Sequence, residues 1–253
     1  MTIVLGAILV SLAGLVLVRR RVDLETLRAH HEVAGITYAV LAGLYGVILA
    51  FVLVSSWERF EDVRHTIEAE ADTLANIRRH AFAFPEPTRS TVENAVVSYL
   101  HGVIEQEWPA MAAGHQSETT HAAYIALWHT VLDITPGSDK LNVVFQNTLD
   151  RMDDLSSARR DRLLYAYTML PGLVWAFLIG AGALTIAFTY FFGMPNLGSQ
   201  MIITAALTAT IVSALVLILE TQTPFRGALT LPPQPFEFLL KMIAEEAAGR
   251  PPQ

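Results

Sequence analysis

The chain has 253 residues, 53% hydrophobic and only 16% charged, and its mean hydropathy of +0.41 is too high for an ordinary soluble domain. There is no cysteine, which excludes disulfides, thiol chemistry and thiolate-bound metal. The net charge of −7 falls entirely within residues 58–166, where seventeen acids face ten bases, and so acidic a region excludes nucleic acid as a partner.

A membrane span needs about 20 mostly apolar residues to cross roughly 30 Å of hydrocarbon. Four segments qualify: Ile3–Val18, Val33–Trp57, Thr168–Phe192 and Met201–Leu219. The first is short enough to compete with a signal peptide. Its arginines follow the apolar run, however, and no small-residue cleavage site comes after it, so it reads as a retained span. The chain therefore divides into spans one and two (1–57), an acidic extramembrane domain (58–166), spans three and four (167–220) and a tail (221–253).

The second span does not stop at the bilayer edge. Eight of the fifteen residues from Glu58 are charged, yet no proline or glycine separates them from the apolar stretch. Phe60, Val63, Ile67, Leu74 and Ile77 recur at helical spacing, so the helix continues with one face covered by protein until Pro85 and Pro87 break it. Further helices are expected over Thr88–Gln106, Glu118–Asp133 and from Ser138 or Asp139, as N-cap, up to the third span. "GMPNLGS" is a turn between spans three and four, Pro224–Gly227 past the fourth reads as a turn with an interfacial anchor or, alternatively, a subunit contact, and an amphipathic helix covers Pro235–Ala248. No strand pattern or internal repeat occurs. The fold class is an all-α integral membrane protein with a helical polar domain inserted between spans two and three.

At 100° per residue the second span has two contrasting sides. Gly35, Ala39, Gly43, Gly46 and Ala50 form a small-residue side suited to close helix packing. Tyr38, Leu41, Tyr45, Ile48, Val52 and Ser55 form the other, whose hydroxyls need hydrogen-bond partners at bilayer depth. That side is the candidate pore lining, with Ile48 and Val52 as a hydrophobic constriction; ordinary bundle packing is the alternative. Glu58, Glu61, Asp62, His65 and Asp72 share a face beyond it and, repeated around a symmetric oligomer, would make acidic rings at a pore mouth. A solvated face is the plainer reading of the same residues. Glu61 and His65, at i and i+4, could hold a divalent ion only with a second subunit's help, and no metal or cofactor is expected.

The interiors of the spans carry no Asp, Glu, Lys, Arg or His, which disfavours a proton-coupled transporter and leaves a channel open. Enzyme signatures are missing: no HExxH, no GxSxG, no phosphate-binding glycine loop. His30 and His31 are adjacent and diverge on a helix, His101 shares a face with Glu105 alone, and His121 and His129 sit among Tyr124 and Trp128 as packing residues. No catalytic residues are assigned.

The segments Gly35–Ile77, Tyr99–Met111 ("YLHGVIEQEWPAM") and Thr223–Leu240 ("TPFRGALTLPPQPFEFLL") resemble the bacterial bestrophin-like membrane proteins, most specifically at Trp57–Glu58, Glu107–Trp108–Pro109 and Pro224–Phe225–Arg226–Gly227. The resemblance implies a homo-oligomeric, pentameric ion channel whose second transmembrane helix lines a hydrophobic neck and continues into the cytosol. Its implied partners are the lipid bilayer, further copies of the chain and inorganic ions. Bestrophin necks carry clustered phenylalanines, whereas the candidate side here has Tyr45, Ile48 and Val52, and its acidic extension favours cations. The resemblance also implies a bacterial inner-membrane location with the termini and polar domain in the cytoplasm. Arg19, Arg20, Arg21 and Arg28 in the first loop pull the other way. The competing function is a non-conducting scaffold or sensor whose acidic domain binds a partner protein.

Overall fold

The computed structural model describes residues 2–22 and 31–249, with residues 31–34 described by backbone alone. Arg28 and His30 lie outside the described residues, and the His31 side chain is likewise outside them. All regular structure among the described residues is helical. The elements are α1 (Thr2–Arg21), α2 (His31–Ala81), α3 (Thr88–Gly102), a π-helical turn (Val103–Glu107), α4 (Trp108–Ala112), α5 (Glu118–Leu132), α6 (Asp139–Tyr167), α7 (Gly172–Phe188), a 3-10 turn (Thr189–Phe191), α8 (Leu197–Thr221) and α9 (Gln234–Ala247).

Helices α1, α2, α7 and α8 are long and apolar enough to cross a membrane. The third starts at Gly172, not at Thr168, because Pro171 sits at its N-cap with extended ψ and holds the preceding residues out of the helix. Helix α2 runs 51 residues without a break, as the lack of breakers in its sequence predicts.

The chain forms two compact units. The first comprises Met1–Arg59 and Leu170–Gln222. Its tightest pairing is α1 on α8, where Thr208 Oγ1 donates to Ser11 Oγ at 3.0 Å, and the 3-10 turn meets α8 through Thr189 and Thr204 at 3.1 Å. Gln200 Nε2 donates to the Thr189 carbonyl at 3.0 Å. In lipid no hydrophobic drive brings helices together, so such polar contacts and close packing hold them. Large apolar side chains such as Leu9, Leu173 and Ile202 point outward, as befits hydrocarbon surroundings.

The second unit comprises Phe60–Met169 and Thr223–Gln253, so the C-terminal tail belongs to the polar domain. Its core gathers Val63, Ile67, Leu74 and Ile77 of α2, Val92, Val96 and Tyr99 of α3, Leu127 and Val131 of α5, and Met152 and Leu155 of α6. Ser117 and Ser138 cap α5 and α6, accepting from the N–H groups of Thr120 and Leu141. The tail closes the core: Phe225 and Phe236 pack edge-on against Trp108, whose indole N–H donates to the Leu231 carbonyl at 3.0 Å. The Pro224–Gly227 segment is thus a turn, with Gly227 at φ 100°, and it delivers Phe225 to the interior.

Candidate functional site

Helix α2 presents two stripes. One is covered within the chain. In the first unit it comprises Tyr38, against the rings of Phe188 and Phe192, then Tyr45, Leu49 and Ser56. Tyr45 is only 5% exposed; its hydroxyl donates to the Leu178 carbonyl at 3.1 Å, and its ring end rests on Gly182 of α7. A Cβ at Gly182 would meet Tyr45 Oη at 2.7 Å, so glycine is what allows this approach. In the second unit the covered stripe continues as Phe60, Val63, Ile67, Glu70, Leu74 and Ile77.

The other stripe is uncovered: Ile36, Val40, Val47, Phe51 and Val54, then Glu58, Asp62, His65 and Asp72. Phe51 is 72% exposed. The side read from sequence as pore lining is therefore divided. Tyr38 and Tyr45 turn into the chain's own bundle, Leu41 and Val52 are half-covered, and only Ile48 and Ser55 stand exposed at the flank. Within one chain a helical carbonyl satisfies the Tyr45 hydroxyl, so that group needs no aqueous partner. The small-residue side is largely open within one chain. Gly43 and Gly46 have open space where a Cβ would stand, Ala39 and Ala50 are exposed, and only Gly35 approaches a neighbour, Phe192. Within one chain these residues pack against nothing close.

On α2, Glu58, Asp62, His65 and Asp72 are exposed and Glu61 is partly covered. Glu61 pairs with Arg64, and His65 lies 3.5 Å from Glu68. Glu61 and His65 thus find other partners, and no group of three or more metal-ligating side chains occurs among the described residues. His101 pairs with Glu105 at 2.8 Å, and His121 stacks on Tyr124.

The strongest chemistry in the chain went unseen in the sequence. Arg162, with no solvent exposure, donates from Nε to Glu70 Oε2 at 2.6 Å and from Nη2 to Glu70 Oε1 at 3.0 Å and Glu107 Oε2 at 2.8 Å. Arg159 Nη2 donates to Glu107 Oε1 at 2.6 Å, and the Tyr99 hydroxyl donates to Glu70 Oε1 at 2.6 Å. Two arginines balance two glutamates, so the cluster is neutral as a whole. Burial acts to lower the Arg162 pKa, but Glu70 and then Tyr99 and Glu107 outweigh it, and the guanidinium is held well above its ordinary value. Burial and the Glu70 charge push the Tyr99 phenol up in turn.

The π-helical turn aims Glu107 at this cluster. Pro109 has no N–H, and its ring would strike the carbonyl four residues back; a wider turn, closed by Trp108 N–H on the Val103 carbonyl, removes the clash. A signal for the cluster existed. Glu70 sits on the stripe of Val63, Ile67, Leu74 and Ile77, and Arg159 and Arg162 continue that of Met152 and Leu155. Charges on an apolar face require buried partners.

The family model of the Bestrophin-like domain matches residues 5–236. No curated protein matches the sequence. Among solved structures, a variant of a bacterial Bestrophin homolog from Klebsiella pneumoniae aligns with a TM-score of 0.73 at 12% identity, covering 95% of this chain and 99% of that one. The same homolog solved by Zn-SAD phasing gives 0.69 at 15% identity over 98% and 99%. A variant described as a membrane protein gives 0.72 at 14% over 99% and 100%. At such identities the likeness is one of fold.

Proposed function

The chain belongs to the Bestrophin-like family, and from that premise we propose that it is the subunit of a homo-oligomeric ion channel, pentameric by its sequence resemblance, with α2 around the central axis. The observation that carries this reading is the uncovered stripe of α2, which passes from apolar to acidic side chains without a break in the helix. A helix lining a water-filled axis keeps one side wet on either side of the bilayer boundary, and so has no cause to end there.

On this reading Val47, Phe51 and Val54 form the constriction, replacing the Ile48 and Val52 expected from sequence, because they align with the acidic residues. Phe51 supplies the phenylalanine that the tyrosine side lacked. Glu58, Asp62, His65 and Asp72 form the mouth, where repeated carboxylates raise the local cation concentration, so cations are the favoured permeant species. Gly43, Gly46, Ala39 and Ala50, free within one chain, face a neighbouring subunit. The polar unit and both termini lie in the cytoplasm of a bacterium, with the spans in its inner membrane.

The test has two parts. Mass measurement of the purified protein in detergent should return a ring of identical subunits, and planar bilayers should record current from it. A monomer overturns the proposal. A well-formed ring that stays electrically silent overturns conduction and leaves the scaffold reading in its place.

A further inference from the structure

The polar unit holds a cavity of about 480 Å³ between α5 and α6, within the size range of small-molecule sites. Its wall contains Arg159, Arg160, Gln116, Tyr124, Leu164 and Tyr167 and, among the described residues, no acidic side chain. Arg159 is 5% exposed and commits only Nη2, to Glu107; its Nε is enclosed and has no hydrogen-bond partner among the described residues. A buried donor left unpaired costs free energy that an entering acceptor recovers once the guanidinium turns toward it. Arg160, one residue on, is exposed and makes no ion pair among the described residues. The Tyr124 hydroxyl is already engaged with Ser156 at 2.7 Å, so that ring contributes its face, which also lies 5.1 Å from the Arg159 guanidinium carbon. At the mouth Leu164 and Tyr167 are about half exposed, and Tyr167 precedes the start of membrane helix α7 by five residues.

We propose that this cavity binds the phosphate group of an amphiphilic ligand, with Arg159 and Arg160 holding the oxyanion and Tyr124, Leu164 and Tyr167 receiving its apolar part. A carboxylate fills one guanidinium fork, whereas a phosphate has oxygens for two. The same phosphate chemistry comes from an anionic lipid headgroup or from a soluble phosphate. Occupancy would draw Arg159 from Glu107, which also holds Arg162 and through it Glu70 of α2, so binding reaches the long helix by direct contacts. The site is independent of whether the chain conducts.

The experiment uses the full chain in an uncharged detergent and follows thermal unfolding and bound mass by native mass spectrometry. The probes are dioctanoyl phosphatidic acid, inorganic phosphate and dioctanoylglycerol. Saturable binding of phosphatidic acid, far tighter than that of inorganic phosphate and weakened at least tenfold by Arg160→Gln, supports the proposal with a lipid as source. Inorganic phosphate binding as tightly as phosphatidic acid, even with the same Arg160→Gln loss, overturns the amphiphilic ligand, because the apolar part then contributes nothing. Because Arg159 is part of the buried cluster, Tyr167→Ala serves as the second variant; it should weaken phosphatidic acid and leave inorganic phosphate unchanged. No binding of either phosphate probe, unchanged affinity in Arg160→Gln, or dioctanoylglycerol binding as tightly as phosphatidic acid overturns the proposal.

Discussion

Arg162 and Glu70 are joined by two parallel hydrogen bonds, at 2.6 and 3.0 Å, with both side chains closed to solvent. Removing the guanidinium leaves two carboxylates, on Glu70 and Glu107, with only Arg159 to compensate them. Arg162→Met should lower stability by about 3–5 kcal/mol, the cost of stranding a buried charge. Chemical unfolding of the solubilised protein measures it. Glu70→Gln added to Arg162→Met should recover part of the loss, since the stranded charge on that side is then gone.

Gly182 is held against Tyr45 so closely that one methyl group has no room. Gly182→Ala should cost about 1–3 kcal/mol by forcing the ring or the helix aside. Tyr45→Phe, which forfeits a single hydrogen bond to a carbonyl, should cost only about 1 kcal/mol. Melting midpoints of the two variants should fall in that order.

If Phe51 narrows a conducting axis, Phe51→Ala should raise single-channel conductance severalfold, whereas Tyr45→Phe should leave it unchanged. Glu58→Gln combined with Asp62→Asn should move the reversal potential, under a salt gradient, toward lower cation preference. Conductance that responds to Tyr45 and ignores Phe51 would return the axis to the tyrosine side.

His80, half-buried on α2 with its ring nitrogen 3.3 Å from the Thr148 hydroxyl, has its pKa lowered from about 6.5 by burial and then by Arg151 and Arg79. The unfolded chain therefore takes up this proton first as pH falls. The contribution is intact above about 6.5 and is lost as pH drops from there through the lower folded value. Melting midpoints at pH 7.5 and 5.5 should differ less in His80→Gln than in the native chain.

The helices were legible because apolar spacing, prolines and serine caps mark them locally. The unbroken length of α2 followed from what its sequence lacks. The faces of α2 were harder to read, since a helical wheel tells which residues stand together and not which side a neighbouring helix will cover. One clue was available: thirteen residues from Tyr45 to Glu58 turn a helix by about 220°, so the tyrosine and acidic sides could not be the same stripe. The Arg162 cluster escaped notice because its members come from α2, α6 and the turn before Trp108, distant in sequence and sharing no spacing motif.

The widened turn at Val103–Glu107 carries one residue more than a regular helix would need, and that surplus has a cost in heredity. Loss of a single codon there would leave only ordinary winding and drive the Pro109 ring onto the carbonyl four residues back, the clash that the extra residue relieves. Related genes that keep Pro109 should therefore tolerate substitutions in this stretch far better than changes in its length.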